Sequence, residues 1–299
     1  MHDTATRLEV IRTPEPVERA KQPVLVILHQ EHSSPGRVGR LIAAQGHALD
    51  IRRPRFGDPL PETLAGHDGA IIFGGPMSAN DDEAWLRDEI DWIGRVLREE
   101  KPFLGLCLGA QMLVKHMGGR VAGHAEGRAE IGYFPIHPTF AGEDLASRLG
   151  VPWPSHVYQW HREGLDDPAG VSVLATGTDF PIQAIQVGPA AFGFQFHPEV
   201  THAMVYRWTT RAVERLALPG AQEARLHHSG RFMYDGAVAT WLEAFLMRWL
   251  EGTPAALAWP NPSSTMANSS GIPPASMNRV YLTAAKRRSG PMPHRLIRK

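Results

Sequence analysis

The chain of 299 residues holds one cysteine, set in Gly105-Leu106-Cys107-Leu108-Gly109. An apolar run, PFLGL, leads into it, and the helix-like stretch LGAQMLVKHMG leads away. This is the G-x-nucleophile-x-G spacing of a nucleophile elbow, in which small flanking residues permit a sharp strand-to-helix turn that lifts a side chain above a sheet. The adjoining helix N-terminus offers backbone N–H groups and a positive dipole end, which favour a thiolate and a developing oxyanion. A free cysteine is more often a small buried hydrophobe. The chemical reading therefore depends on whether partners exist.

A thiolate that acts by acyl transfer needs a base, itself oriented by a third group. The segment FGFQFHPE, residues 192–199, supplies both at the end of an apolar run. His197 and Glu199 stand two residues apart, so on an extended segment their side chains share one side. Glu199 then reaches the imidazole, fixes its tautomer and favours its charged form. An oxyanion hole needs a second main-chain donor, and Gly74-Gly75-Pro76 closes another apolar run with residues that let the backbone approach a ligand. Of the 15 histidines, His197 and His202 lack helical i, i+4 spacing, and His227 and His228 are adjacent. No metal or cofactor is expected.

These residues need elements to position them. PVLVILH (23–29), HALDIRR and GAIIFGGP (69–76) read as strands, and the near-continuous apolar runs suit a parallel sheet buried on both faces. Helical spacing marks 37–45, a long helix capped by Asp81 or Asp82 and running to Glu100, and the stretch after Cys107. Alternation of strand and helix predicts a doubly wound, mostly parallel α/β sheet flanked by helices, with ligands at the carboxyl ends of its strands. From Gly119 to Phe196 short β segments dominate, with one helical stretch near Leu145, which predicts additional antiparallel strands. Helices resume at 201–217 and 232–250.

Hydrophobic residues at 43% and charged residues at 21% are globular values. The organisation expected is a polar leader over 1–22, one domain over 23–251, and a Pro/Ser-rich disordered tail over 252–299. Lys+Arg and Asp+Glu both number 31, yet no acidic residue follows Glu251, so the tail is +7 and the rest −7. A basic tail without an aromatic stacking platform or reader motif is read as solvated, and a nucleic-acid partner is not expected. One cysteine, no apolar signal region and no ~18-residue apolar run point to the cytoplasm rather than a membrane or secretory route.

FLGLCLGAQML, IFGGPMSAND and FGFQFHPEV together resemble the three signature segments of the class I, triad-type glutamine amidotransferases, in the family's order. The wording is most similar to stand-alone relatives of the GMP synthase amidotransferase domain. The resemblance covers about residues 24–250, including HMGGRV and EIGYFPI, and implies a flavodoxin-like fold. It implies that Cys107 is a nucleophile forming a γ-glutamyl thioester, His197 the acid/base and Glu199 its orienting partner. It further implies an oxyanion hole at the N–H groups of Gly75 and Leu108. Gln111 corresponds to a residue that helps hold glutamine, Tyr158, Trp160 and His161 belong to the segment facing its α-amino and carboxylate groups, and Gly74 lines the same site.

The match departs in two places. Where the relatives continue Trp-His-Gly-Asp, this chain has Trp160-His161-Arg162-Glu163, which adds bulk and charge near the pocket. No Ser-Gly-Gly-x-Asp-Ser loop of an ATP-pyrophosphatase domain occurs, nor a Walker-type loop. The first expectation is thus glutamine amide hydrolysis, with ammonia released or passed to a synthase on another chain. A γ-glutamyl peptidase or hydrolase acting on a glutamyl conjugate is the alternative, favoured by Arg162. A third reading keeps the fold as a non-catalytic binding subunit.

Overall fold

The computed structural model describes residues 20–166 and 170–251. The expected leader, apart from residues 20–22, and the expected tail lie outside the described residues. Strands β1 (Val24–Ile27), β2 (Leu49–Arg52), β3 (Gly69–Ile72) and β4 (Phe103–Leu106) alternate with helices α1 (Gly36–Ala44), α2 (Ala84–Arg98) and α3 (Leu108–His116). Then follow β5 (Arg120–Gly123), β6 (Glu130–Pro135), β7 (His137–Pro138), α4 (Phe140–Leu149), β8 (His156–His161), β9 (Glu163–Asp166), β10 (Ser172–Thr176), β11 (Ala184–Val187) and β12 (Ala191–Phe194). Helices α5 (His202–Arg211) and α6 (Ala224–Leu250) complete the described chain, with a 3-10 turn, Val213–Ala217, between them.

The eight-stranded sheet has the order β2-β1-β3-β4-β12-β11-β10-β7. Its first five strands pair in parallel. Its last three join antiparallel. Two separate antiparallel ribbons, β5-β9 and β6-β8, form the additions expected from the β-rich stretch.

Strand alternation divides the core. Val24, Val26 and Leu28 face a cluster with Ile71, Leu104, Phe194 and the α6 residues Trp241 and Phe245. Leu25 and Ile27 face the opposite cluster with Ile72, Leu86, Ile93 and Leu113 of α2 and α3. Strands buried on both faces cannot show a polar/apolar alternation, which is why their sequences read as continuous apolar runs.

Helix boundaries differ from expectation at α2, α5 and α6; the helix expected over 201–217 ends at Arg211, where Ala212 leaves helical geometry (φ −123°, ψ 45°) before the 3-10 turn. Asp81 and Asp82 do not cap α2: Glu83 stands at its N-cap without a side-chain bond, Asp81 accepts the Ser78 N–H at 2.9 Å, and Asp82 pairs with Arg87. The helix also ends at Arg98, because Glu100 turns into the left-handed region at φ 51°. Helix α6 begins at Ala224, eight residues before the expected start at 232. Its early turns pack through His227 and Gly230, and a Cβ on Gly230 would lie 2.7 Å from the Tyr133 ring. Contacts made by a histidine and a glycine leave no apolar period to read.

The elbow is steric in origin. A Cβ on Gly105 would sit 2.4 Å from the Gly109 carbonyl oxygen, and one on Gly109 would sit 2.1 Å from the oxygen of Ile72 in β3. Both glycines let β3, β4 and α3 meet at backbone distance. Gly109→Ala is expected to destabilise the fold by about 1–3 kcal/mol or more, since backbone rather than a flexible side chain must yield. Chemical denaturation of the variant checks this, and an unchanged midpoint would refute it.

Candidate active site

Cys107 sits between β4 and α3 with φ 50° and ψ −104°. For a residue with a Cβ that conformation costs on the order of 1–3 kcal/mol, strain that points to a functional position. Its own N–H donates to the Phe194 carbonyl of β12 at 2.7 Å, which ties the elbow to the neighbouring strand. Leu108 opens α3, so its N–H belongs to the helix end that lacks an intrahelical acceptor.

His197 lies three residues beyond β12 and is nearly fully buried. Its Nδ1 is 2.8 Å from Glu199 Oε1, as expected from the i, i+2 spacing. Its Nε2 is buried without a hydrogen-bond partner among the described residues. Burial by itself pushes the imidazole towards neutrality, but the charge of Glu199 and then Cys107 outweighs it and raises its pKa to about 10. The folded value stands above the ordinary 6.5, so the stabilisation by His197 is complete below about pH 6.5 and is lost as pH rises through about 10. The melting temperature of the protein relative to a His197→Gln variant is expected to decline across that window. A difference that stayed flat would contradict the charge pairing.

The segment carrying His197 is held from behind. Arg37 N–H donates to the Glu199 carbonyl at 2.8 Å, Arg37 Nη1 donates to the Pro198 carbonyl at 3.3 Å, and its guanidinium pairs with Asp235 of α6 at 2.5 Å. The Tyr158 carbonyl accepts the His197 N–H at 2.8 Å. Trp208 of α5 packs edge-on against the imidazole with ring centres 5.1 Å apart.

Gly74 and Gly75 follow β3, adjacent to β4. A Cβ on Gly74 would lie 2.9 Å from His197 Cε1 and 3.4 Å from Cys107 Cβ, so only glycine leaves both side chains where they are. Gly75 lies against Leu108, as a Cβ there would meet Leu108 Cδ2 at 3.0 Å. The structure thus brings Cys107, His197, Glu199, Gly74, Gly75 and Leu108 together at the carboxyl ends of three neighbouring parallel strands.

Of the remaining expected residues, Gln111, Tyr158 and His161 have side-chain polar atoms already engaged. Gln111 Nε2 donates to the Glu163 carbonyl at 2.9 Å and approaches Gln195 Oε1 at 3.3 Å. The Tyr158 hydroxyl meets His227 Nδ1 at 2.9 Å inside a cluster with Tyr133, and burial keeps it protonated well above the ordinary range. His161 Nε2 stands 3.1 Å from Gln159 Oε1 and 3.1 Å from Glu130 Oε2 in a buried polar network that Gln183 completes. Trp160 remains half-buried and packs on Trp208 at 5.4 Å.

Sequence reasoning missed Gln195, whose Nε2 lies 3.7 Å from Cys107 Sγ, and the pair Arg37–Asp235. Gln195 had a signal in its place within FQFHPE. Arg37 and Asp235 are 198 residues apart and had none.

Elbow, buried imidazole–carboxylate pair and glycine turn thus lie together at the ends of neighbouring parallel strands of a doubly wound sheet. The chain belongs to the glutamine amidotransferase class-I family, whose profile matches residues 37–205 and thus spans Cys107, His197 and Glu199. It is 30% identical over 216 residues to the glutamine amidotransferase-like protein YfeJ of Salmonella typhimurium, covering 69% of this chain and 84% of that protein. A GMP synthase [glutamine-hydrolyzing] of Listeria innocua is 36% identical over 139 residues, 45% of this chain and only 24% of the synthase. Among solved structures, a glutamine amidotransferase of Methylobacillus flagellatus superposes with a TM-score of 0.72 at 28% identity, covering 78% of this chain and 96% of that one. One from Thermotoga maritima gives 0.69 at 25% identity, covering 78% and 100%. Among the described residues no helix is long and apolar enough to cross a membrane.

Proposed function

We propose that the chain hydrolyses the side-chain amide of glutamine through a thioester on Cys107. The thiolate adds to the amide carbon, and the oxyanion so formed receives hydrogen bonds from the N–H groups of Gly75 and Leu108. His197, charged beside Glu199, gives its Nε2 proton to the departing nitrogen, and the C–N bond breaks to release ammonia and leave a γ-glutamyl thioester. A water molecule, losing its proton to His197, then attacks the thioester, and glutamate leaves as the thiol re-forms. The observation that carries this reading is the buried Nδ1–Oε1 contact of 2.8 Å at the end of β12, the strand hydrogen-bonded to the one that presents Cys107.

The relative named GMP synthase extends well beyond the matched segment. Transfer of the ammonia to a synthase on a separate chain is accordingly part of the proposal. Gln111, Trp160 and His161 are assigned to the wall of the glutamine pocket, with Tyr158 supporting them. The reading has one decisive assay: ammonia released by purified protein from free glutamine, set beside release from a panel of γ-glutamyl amino acids. No turnover of any of them would overturn it.

A second reading, action on a γ-glutamyl conjugate, is favoured by two arginines. Arg215 is half-buried without an ion pair among the described residues, and burial, followed by the like charge of Arg162, lowers its pKa while Glu214 and then Cys107 act in the opposite sense. A substrate carrying a second carboxylate would offset that repulsion. Faster turnover of γ-glutamyl amino acids than of glutamine in the same panel would select it.

A further inference from the structure

We infer that His29 and Glu89 form a positioning pair for the reaction proposed above, holding the Gly74–Gly75 peptide so that the Gly75 N–H faces the reacting side of Cys107. The inference rests on that reading for its chemistry and on separate contacts for its geometry. His29 lies two residues beyond β1, and Glu89 lies on the inner face of α2. Both side chains have no exposed surface, and Nε2 of the one is 3.0 Å from Oε2 of the other. A buried ion pair is weak evidence for stability, because desolvation offsets its attraction. Its position is the informative fact.

The second nitrogen of His29, Nδ1, is 3.3 Å from the Gly74 carbonyl oxygen. A carbonyl only accepts, so in this contact Nδ1 is the donor. The peptide is planar with its C=O and N–H pointing in opposite directions. Drawing the Gly74 carbonyl to His29 therefore turns the Gly75 N–H away from it. His197 and Cys107 adjoin Gly74, where a Cβ would lie 2.9 Å from His197 Cε1 and 3.4 Å from Cys107 Cβ. The Gly75 N–H has no backbone acceptor among the described residues. Two consecutive glycines would otherwise let this peptide rotate with little steric resistance. The sheet order β1-β3-β4-β12 lines up the strand ends that lead to His29, Gly74–Gly75, Cys107 and His197.

The test separates oxyanion binding from thiol reactivity. The probe is 5-oxopentanoate, an aldehyde that adds reversibly to a thiol and places oxygen where the oxyanion forms. Its binding is read as protection of Cys107 from iodoacetamide, whose direct displacement needs no oxyanion hole. In His29→Leu, protection should weaken roughly tenfold or more, within the ~10²–10³ loss that follows removal of an oxyanion donor. Alkylation without aldehyde should stay within about twofold, because the elbow and His197 are untouched. For glutamine, kcat should fall while KM holds, and His29→Gln, which restores an N–H, should recover part of the loss. His29→Leu leaves a buried carboxylate unpaired, so His29→Leu/Glu89→Leu, with both partners apolar, is the variant to use if the single one fails to fold. Undiminished aldehyde protection in the folded variant, no protection in the wild type, or alkylation falling in parallel would each overturn the pair's role. Protection that depends on His29 in a protein that hydrolyses no γ-glutamyl amide would instead sink the proposed function and leave the positioning pair standing.

Discussion

Replacing Cys107 by alanine is expected to reduce amide hydrolysis by at least ~10⁴-fold, since the nucleophile is lost and the neighbouring groups have nothing to activate. Stability should change little. The thiol is small, and alanine inherits the same positive φ, so the strain of the elbow is carried over rather than relieved. Cys107→Gly, by contrast, should relieve that strain and melt no lower than the alanine variant. The measurement pairs ammonia release with thermal melting for the three proteins. Activity retained in Cys107→Ala, or activity lost only in proportion to unfolding, would remove Cys107 from the mechanism.

His197→Ala should be nearly as damaging, because a positioned base contributes ~10²–10⁴-fold and Glu199, the group on its Nδ1, has no second imidazole to orient. Glu199→Gln is expected to weaken catalysis without ending it. The amide keeps the size of the side chain and can still hydrogen-bond, but the charge that raises the imidazole is gone. Groups that act as one unit are not additive, so the double variant should be scarcely slower than His197→Ala. Rates of the two single variants and the double at saturating glutamine decide this. Fully multiplicative losses, or a Glu199→Gln enzyme as inactive as His197→Ala, would show that the two residues do not act as base and orienter.

The pairing of His197 with Glu199 was readable because both sit on one short segment, where the local geometry of an extended chain brings alternate side chains to the same side. The elbow was readable for the same reason: Gly105 and Gly109 flank Cys107 within one turn, and glycine at such spacing reports close backbone approach before any fold is known. The apolar runs likewise announced strands covered on both faces, and so a parallel sheet. All of these are short-range statements. What they omit is the order of strands, because β12 pairs with β4 only after the chain has made two separate ribbons and turned back through β10 and β11.

That return decides the site. It places His197 beside a cysteine 90 residues earlier, and it lets Arg37 on α1 and Asp235 on α6 clamp the segment that carries His197. Neither residue stands in a local pattern that distinguishes it from an ordinary charged position on a helix. The same holds for His29 and Glu89, a histidine after a strand and a glutamate among many on an amphipathic helix, whose meaning appears only when the two are buried together behind Gly74. Residue types and spacing determined which groups can do chemistry here, because those signals depend on neighbours in the chain. The tertiary structure alone decided what holds them in place, because a buried charge is tolerated only opposite a partner, and that partner is chosen by packing rather than by sequence distance.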